Sequence, residues 1–319
     1  MMLPDTALGL RAATPARSPS RWFGSRAARR VGKGVFTLLL CTFAALAQDA
    51  RPDKPATPAE KYQALLKERE DGPEASSNAK TAEERKQIQA RLGKLHLKFL
   101  ELAEQNPTDP VALDALLQTV AIVNGTAFPE GGKDSPDERA LSLLLRDHDR
   151  SDRLGIVCQY VLFGFHKSHE DFLRAVLEKN SHAEVQGLAC LSLAQYLNNR
   201  LQRLELLPDQ PEQVERYHRV FGKEYVERLQ RQDRAAVARE AEALFERAAE
   251  KYGDVKIPVT YYGSGGTIRE KAEGELFQIR HLAVGKVAPE IEGEDQDGKR
   301  FKLSDYRGKV VLLDFWYRL

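Results

Sequence analysis

Apolar residues recur every three or four positions through most of this chain, which is the period of an amphipathic α-helix. Such stripes run through residues 88–102, 185–197 and 237–248. Short polar or Gly- and Pro-containing stretches separate them. The pattern therefore predicts a helical body over residues 57–283, with roughly eight to ten helices joined by short loops.

Signals for the ends of these helices support the prediction. In a capping box, a Ser or Thr hydroxyl accepts a hydrogen bond from the amide three residues later, while the Glu at that position reaches back. Tetrapeptides of this kind begin at Thr57, Thr81, Ser135, Ser181 and Thr267, and Asp109 before Pro110 predicts a further start. Stops are predicted at Asn106, Asn124 and Tyr252, each of which precedes a Pro or a Gly.

Two of the predicted helices, 187–196 and 241–252, alternate small and large residues in a way that resembles tetratricopeptide repeat helices. Small residues let paired helices approach closely, and large ones fill the groove between them. The chain shows no clean repeat of the length that such repeats have. A loosely tetratricopeptide-like array and an irregular helical bundle therefore both remain open.

The last segment of the chain changes from the helical period to short β-type runs. Residues 291–294 and 300–303 flank an Asp-Gly turn at Asp297, which predicts a hairpin. Residues 304–308 suit a turn or a single helical turn. The apolar run 310–316 suits a central strand that is buried on both faces.

The first 47 residues read as an export signal. They carry six Arg and one Lys against one Asp, and an apolar run at 35–46 follows the basic residues. An A-x-A site at 45–47 predicts cleavage before Gln48, followed by a polar linker at 48–56. We therefore expect an exported, periplasmic or extracytoplasmic protein. If the signal is not cleaved, it would act as a membrane anchor, and only then do we expect contact with a membrane.

The remaining residues limit the chemistry that this chain can perform. They carry a small excess of acidic residues, so we expect no binding to nucleic acid. Cys41 lies in the signal, and Cys158 and Cys190 lie in apolar helical stretches without a C-x-x-C. We interpret these two as buried thiols, with a structural disulfide as the alternative.

Histidines provide the other candidate chemistry. His166 and His169 have a spacing that could share a helix face, although Ser168 suggests a helix start between them. His182 lies further along, and Asp147, His148 and Asp149 lie upstream. Surface histidines with this spacing are more common than metal sites, so we expect neither a metal site nor a cofactor.

Residues 284–319 resemble the exported redoxins of the thioredoxin-like superfamily, which include the TlpA/ResA-type thiol-disulfide oxidoreductases and the AhpC/TSA peroxiredoxins. The resemblance rests on four strings: 285–289 (GKVAP), 297–299 (DGK), 303–309 (LSDYRGK) and 310–316 (VVLLDFW). In this family the last strand leads within a few residues to Trp-Cys-x-x-Cys. Here Tyr317-Arg318-Leu319 follow and the sequence stops, so both redox cysteines of the family pattern are absent.

The resemblance also assigns roles to two residues. Asp314 corresponds to a buried carboxylate that assists proton transfer at the buried cysteine of the family motif. Trp316 corresponds to a residue that flanks the active site. Without its cysteine, Asp314 has no partner to serve within this sequence.

The expected fold is mainly α: a helical array or bundle, followed by the first β-elements of an incomplete thioredoxin-like α/β domain. One hypothesis is the N-terminal part of an exported thiol-disulfide oxidoreductase, truncated and inactive as given. Another is a helical protein- or peptide-binding module with a vestigial redoxin tail. A third is a helical scaffold that once delivered a redox domain to its target. Under the first hypothesis, we expect the helical body to contact a protein dithiol or disulfide partner.

Overall fold

The protein is mainly helical. The computed structural model describes residues 55–123, 135–164, 166–205, 211–259 and 265–314. The helices within these ranges are α1 Pro58–Asn78, α2 Ala82–Leu92, α3 Leu95–Gln105, α4 Val111–Val123, α5 Pro136–Asp147, α6 Leu154–Val161, α7 Lys167–Lys179, α8 Ala183–Glu205, α9 Pro211–Phe221, α10 Lys223–Gln230, α11 Arg234–Tyr252 and α12 Ile268–Phe277. A π-helical turn, Gln278–Leu282, extends α12.

Two short strands and a 3₁₀ turn complete the described residues. The strands, β1 Glu292–Glu294 and β2 Arg300–Lys302, form one antiparallel pair, and the turn Leu303–Tyr306 follows directly. The predicted fold class, a helical body followed by a few β-elements, is therefore confirmed.

Most of the predicted helix starts are present. At Thr57 and at Thr267 both hydrogen bonds of the capping box form. Thr81 accepts from the amide of Glu84, whose carboxylate accepts from Lys80 rather than from the cap residue. The carboxylate of Asp109 accepts from the amide of Val111, 2.9 Å away, at the start of α4. The sequence indicates these helix starts because the hydrogen bonds that form them join residues only a few positions apart.

Three predicted helix signals differ from the structure. Ser135 has the expected extended cap conformation, but its hydroxyl makes no capping bond. The helix expected at Ser181 begins at Ala183, because Asn180 Oδ1 accepts from the amide of His182 and turns the chain one residue further. The stripe 88–102 is interrupted at Gly93, a poor helix former, which ends α2 before α3 begins. The stop predicted at Asn124 lies outside the described residues.

Helix α8 lies at the centre of the helical body, where it contacts α6, α7, α10, α11 and α12. Its contact with α11 depends on Gly187. A Cβ atom at that position would lie 2.8 Å from Cβ of Tyr252, which is closer than real Cβ atoms approach one another. The small residue of the predicted small-large pattern therefore permits the close packing of these two helices. Buried Leu193 and Tyr196 fill the core beside it.

A second, smaller core forms where the charged stretch 212–240 meets the end of α8. Here Tyr225, Val226 and Leu229 of α10 are buried together with Leu204 at the end of α8. The apolar residues are few and widely spaced among charges, so the stripe was not evident in the sequence.

The predicted export signal, residues 1–47, lies outside the described residues, as do residues 48–54 of the linker. Among the residues that the structure describes, no helix is both long and apolar enough to cross a membrane.

Candidate functional site

The hairpin predicted near the C-terminus is present, and local bonds determine its geometry. Gly293 pairs with Phe301 at the centre of the ladder. The Oδ1 atom of Asp295 accepts from the amides of Asp297 and Lys299, at 3.0 and 2.9 Å. Gly298 adopts φ +76°, a conformation that favours glycine, so the Asp-Gly turn is built as the sequence indicates.

The segment that follows folds back on the hairpin through its backbone. The amide of Leu303 donates to the carbonyl of Ile291 over 2.9 Å, and the amide of Ser304 donates to Oε1 of Glu290 over 2.9 Å. The predicted single helical turn is the 3₁₀ turn Leu303–Tyr306. Residues 290–306 thus form a small unit held mainly by bonds within itself.

The apolar run after this unit differs from the prediction. Residues 310–314 form no strand, and the side chains of Val310 and Leu312 are almost fully exposed. A strand requires hydrogen-bonding neighbours on its edges, and within the described residues none pairs with this run. The side chain of Asp314 is exposed, and its role beside a family cysteine stays a prediction. Trp316 lies outside the described residues.

The two cysteines of the helical body are buried and free, as predicted, and do not form a disulfide. Burial raises the pKa of the Cys158 thiol far above its usual range. Burial also raises the pKa of Cys190 to about 11. The thiol of Cys190 donates to the carbonyl oxygen of Leu244 over 3.4 Å. Since the thiolate is the nucleophile in thiol-disulfide exchange, neither buried thiol is in the form that reacts.

The histidines form a cluster that the sequence did not indicate. Nε2 of His169 lies 3.1 Å from Oδ2 of Asp137 in the first turn of α5, and both side chains are buried. The rings of His166 and His169 are 5.4 Å apart. His166 is the N-cap of α7 in an extended conformation, so the helix starts at Lys167 and not at Ser168. This cluster joins α5 to α7.

Burial and neighbouring groups shift the pKa values of the side chains in this cluster. Burial alone would raise the pKa of Asp137, but the hydrogen bond to His169 and the charges of His169 and His166 hold it well below its usual value. Burial, and then the neighbouring His169, lower the pKa of His166. Burial also lowers the pKa of His96, on α3, near the same carboxylate. The arrangement favours a buried negative charge on Asp137.

No metal site is found in the part of the chain that the structure describes. No group of three or more His, Cys, Asp or Glu side chains is placed there to hold an ion. Gly164 packs so closely on His169 that a Cβ would overlap the imidazole ring. The four other residues considered from the sequence do not hydrogen-bond to the Asp137–His169 pair: His182, Asp147, His148 and Asp149.

A cleft of about 430 Å³ opens where α1, α4, α6 and α8 meet residues 255–258, and we call it the four-helix cleft. This volume lies within the range of roughly 300–1,000 Å³ that ligand sites occupy. Three of its lining side chains are apolar and buried: Leu117, Val185 and Leu188. Half-buried Ile156 and Val255 extend the apolar lining towards the opening.

The rim of the four-helix cleft carries charges of both signs. Nη2 of Arg153 lies 2.6 Å from Oδ1 of Asp114, and Arg69 donates to the side-chain oxygen of Gln118. The rim also contains Asp152, Glu184 and Lys256. The side chains of these last three make no hydrogen bond or ion pair with the described part of the chain.

Comparison with known proteins gives one partial match. The thiol-disulfide oxidoreductase ResA of Geobacillus thermodenitrificans is 49% identical over 35 residues, which are 11% of this chain and 20% of that protein. The chain thus spans about a fifth of the length of the curated relative that it matches. No family model matches the chain, and no solved structure matches it. These findings support a relation to thioredoxin-like thiol-disulfide oxidoreductases over a short stretch.

Proposed function

We propose that this chain is the N-terminal part of an exported thiol-disulfide oxidoreductase, in which a helical domain precedes a redoxin domain. The observation that carries the proposal is the 49% identity to ResA over 35 residues. Residues 284–319, whose strings resemble the redoxins, have nearly that length. The helical domain would then be residues 57–283, and residues 1–47 would be the export signal.

Within this proposal the 319 residues do not themselves exchange disulfides. Thiol-disulfide exchange needs an accessible thiolate of lowered pKa, as at a C-x-x-C helix N-terminus. The sequence contains no C-x-x-C, and burial raises the pKa of both Cys158 and Cys190. Asp314 would serve as proton acceptor only after further strands and a cysteine cover it, and Trp316 would flank that site.

The helical body would provide the contact with the protein whose dithiol or disulfide is exchanged. Its packed core does not depend on the β-hairpin, since the buried residues of the main core all lie between Tyr62 and Leu276. A rigid helical module ahead of a redox domain can hold a partner near the reacting thiols and raise their effective concentration.

The nucleotide sequence downstream of the Leu319 codon tests this proposal most cheaply. We expect one reading frame there to encode Trp-Cys-x-x-Cys. A protein extended through that motif should reduce insulin disulfides, and Cys158→Ser and Cys190→Ser should leave its rate unchanged. A downstream sequence without such a motif in any frame would contradict the proposal.

A second candidate is a helical binding protein in which the hairpin has no redox role. The observation that favours it is the four-helix cleft, which contains no thiol and needs none to bind a ligand. The downstream nucleotide sequence distinguishes the two candidate functions, because only the oxidoreductase requires the cysteine motif.

A further inference from the structure

We propose that residues 283–289 form a flexible tether, on which the hairpin unit, residues 290–306, moves independently of the helical body. A tether of this length spans at most about 25 Å when fully extended. Its biological role rests on the proposed function: a redox domain that moves on a tether can reach disulfides at several positions on a protein that the helical body holds.

The helical body is anchored as far as the π-helical turn that extends α12. Ile268, at the start of α12, is fully buried in the main core. Nε of Arg280 lies 2.6 Å from Oε1 of Glu242 on α11, and the same guanidinium pairs with Glu246. The side chain of Leu282, two residues later, is more than half exposed. Packing on the helical body therefore ends with this turn.

The tether itself makes little contact with the rest of the protein. Residues 283–289 contain no helix or strand, and all but the last of them are exposed. The apolar side chains of Val284 and Val287 are almost fully exposed. Gly285 adopts φ +84°, and a Cβ atom at this position would meet no atom within 4 Å. Segments with so few buried apolar contacts are among the least stable and most mobile parts of a protein.

The hairpin unit is held together by contacts among its own residues. Nζ of Lys302 lies 2.6 Å from Oε1 of Glu292 across the two strands. The half-buried ring of Phe301 packs on Gly293, where a Cβ atom would lie 3.2 Å from Cζ of the ring. Since no residue of the unit is buried, no large apolar interface fixes it to another part of the protein. Units joined without such an interface are expected to move relative to one another.

Distances between paired spin labels, measured by double electron–electron resonance on the full chain, test the tether. One label is attached on α12 through Glu273→Cys and the other in the hairpin turn through Gln296→Cys, both at exposed positions. Cys41→Ser accompanies every variant, and Cys158 and Cys190 are buried and so protected from the label. We expect the distances to spread over roughly 10 Å, as for a flexible chain of this length.

Two control pairs separate motion on the tether from motion within either part. Glu273→Cys with Glu250→Cys labels exposed positions on α12 and α11, which pack against each other, and should give a narrow distribution. Gln296→Cys with Tyr306→Cys labels two exposed positions within the hairpin unit and should also give a narrow distribution.

The proposal is overturned if the pair at 273 and 296 gives a distribution as narrow as the pair at 273 and 250. It is also overturned if the pair at 296 and 306 is as broad as the pair at 273 and 296, because the hairpin would then not move as a unit. Neither result bears on the oxidoreductase proposal, which the downstream nucleotide sequence tests.

Discussion

Nε2 of His169 lies 3.1 Å from Oδ2 of Asp137, and this contact joins the first turn of α7 to the first turn of α5 inside the protein. The second oxygen of Asp137 and Nδ1 of His169 are also buried and have no hydrogen-bond partner among the described residues. A buried carboxylate in this setting depends on its histidine, because leaving it without a partner is strongly unfavourable.

The histidines around Asp137 predict a loss of stability in mild acid. Burial lowers the pKa of His166 and of His96 from the ordinary value of 6.5. Below that value the unfolded chain takes up protons that the folded protein resists. The contribution of these two histidines to the free energy of unfolding is therefore fully present above their ordinary pKa, and it is lost as the pH falls below that value. The lowered pKa of Asp137 acts in the same direction, with its contribution lost below the ordinary value of 3.8.

Urea unfolding at about pH 7.5 and about pH 5.5 measures this effect. We expect a lower midpoint at the acidic pH. His166→Gln should reduce the difference between the two midpoints, whereas His182→Gln, at an exposed position, should leave it unchanged. Equal midpoints at both pH values would show that these histidines do not respond to pH as inferred.

The ion pairs of Glu170 predict a large effect on stability. Glu170 on α7 accepts from Arg174 over 2.8 Å and also from Arg200 on α8, whose side chain is only 5% exposed. Glu170→Ala would leave the Arg200 charge buried without this partner, which typically costs about 3–5 kcal/mol. Since Glu170 is itself partly exposed, we expect about 3 kcal/mol in chemical denaturation.

The matched control is Asp171, the next residue on α7. Its ion pair with Lys167 is more than half exposed on both sides. Asp171→Asn should change the free energy of unfolding by no more than about 0.5 kcal/mol. If Glu170→Ala were as mild as this control, the buried network would not contribute as its geometry indicates.

The helical body was largely predictable because its signals are local. Thr57 and Thr267 form their capping boxes within four residues, and the apolar stripes require only neighbouring turns. The β-hairpin was predictable for the same reason, since the Asp297-Gly298 turn determines its register.

Sites built from distant residues were not predictable. Asp137 and His169 are 32 positions apart, and the histidine spacing alone suggested surface residues. The four-helix cleft combines α1, α4, α6 and α8, so only the packing of the helices reveals it. Asp314 matches a carboxylate that is buried in the family, but its side chain is exposed here, because burial depends on neighbouring strands that the described residues do not supply.

Removal of the C-terminal segment should leave the helical body folded. The main core lies between Tyr62 and Leu276, whereas Val310 and Leu312 are almost fully exposed. A protein that ends at Ala283 should retain a cooperative helical unfolding transition by circular dichroism. It should also be more soluble, because exposed apolar chain with unpaired amides promotes association. Loss of the transition would mean that the removed segment is part of the core.

The proposed export signal, residues 1–47, predicts a specific N-terminus. Expression in a Gram-negative bacterium, followed by mass spectrometry of the periplasmic fraction, should yield a protein that begins at Gln48. Replacing both alanines of the A-x-A site, Ala45→Leu with Ala47→Leu, should block this processing. A protein retained in the cytoplasm with an intact N-terminus would contradict the proposed export.

Reduction of insulin disulfides by a purified protein of residues 48–319 tests most directly whether the described helical body carries any redox chemistry. Since the thiols of Cys158 and Cys190 are buried and their pKa values are raised, the account predicts turnover no higher than that of dithiothreitol alone. Turnover above that level, abolished by Cys158→Ser or Cys190→Ser, would contradict it.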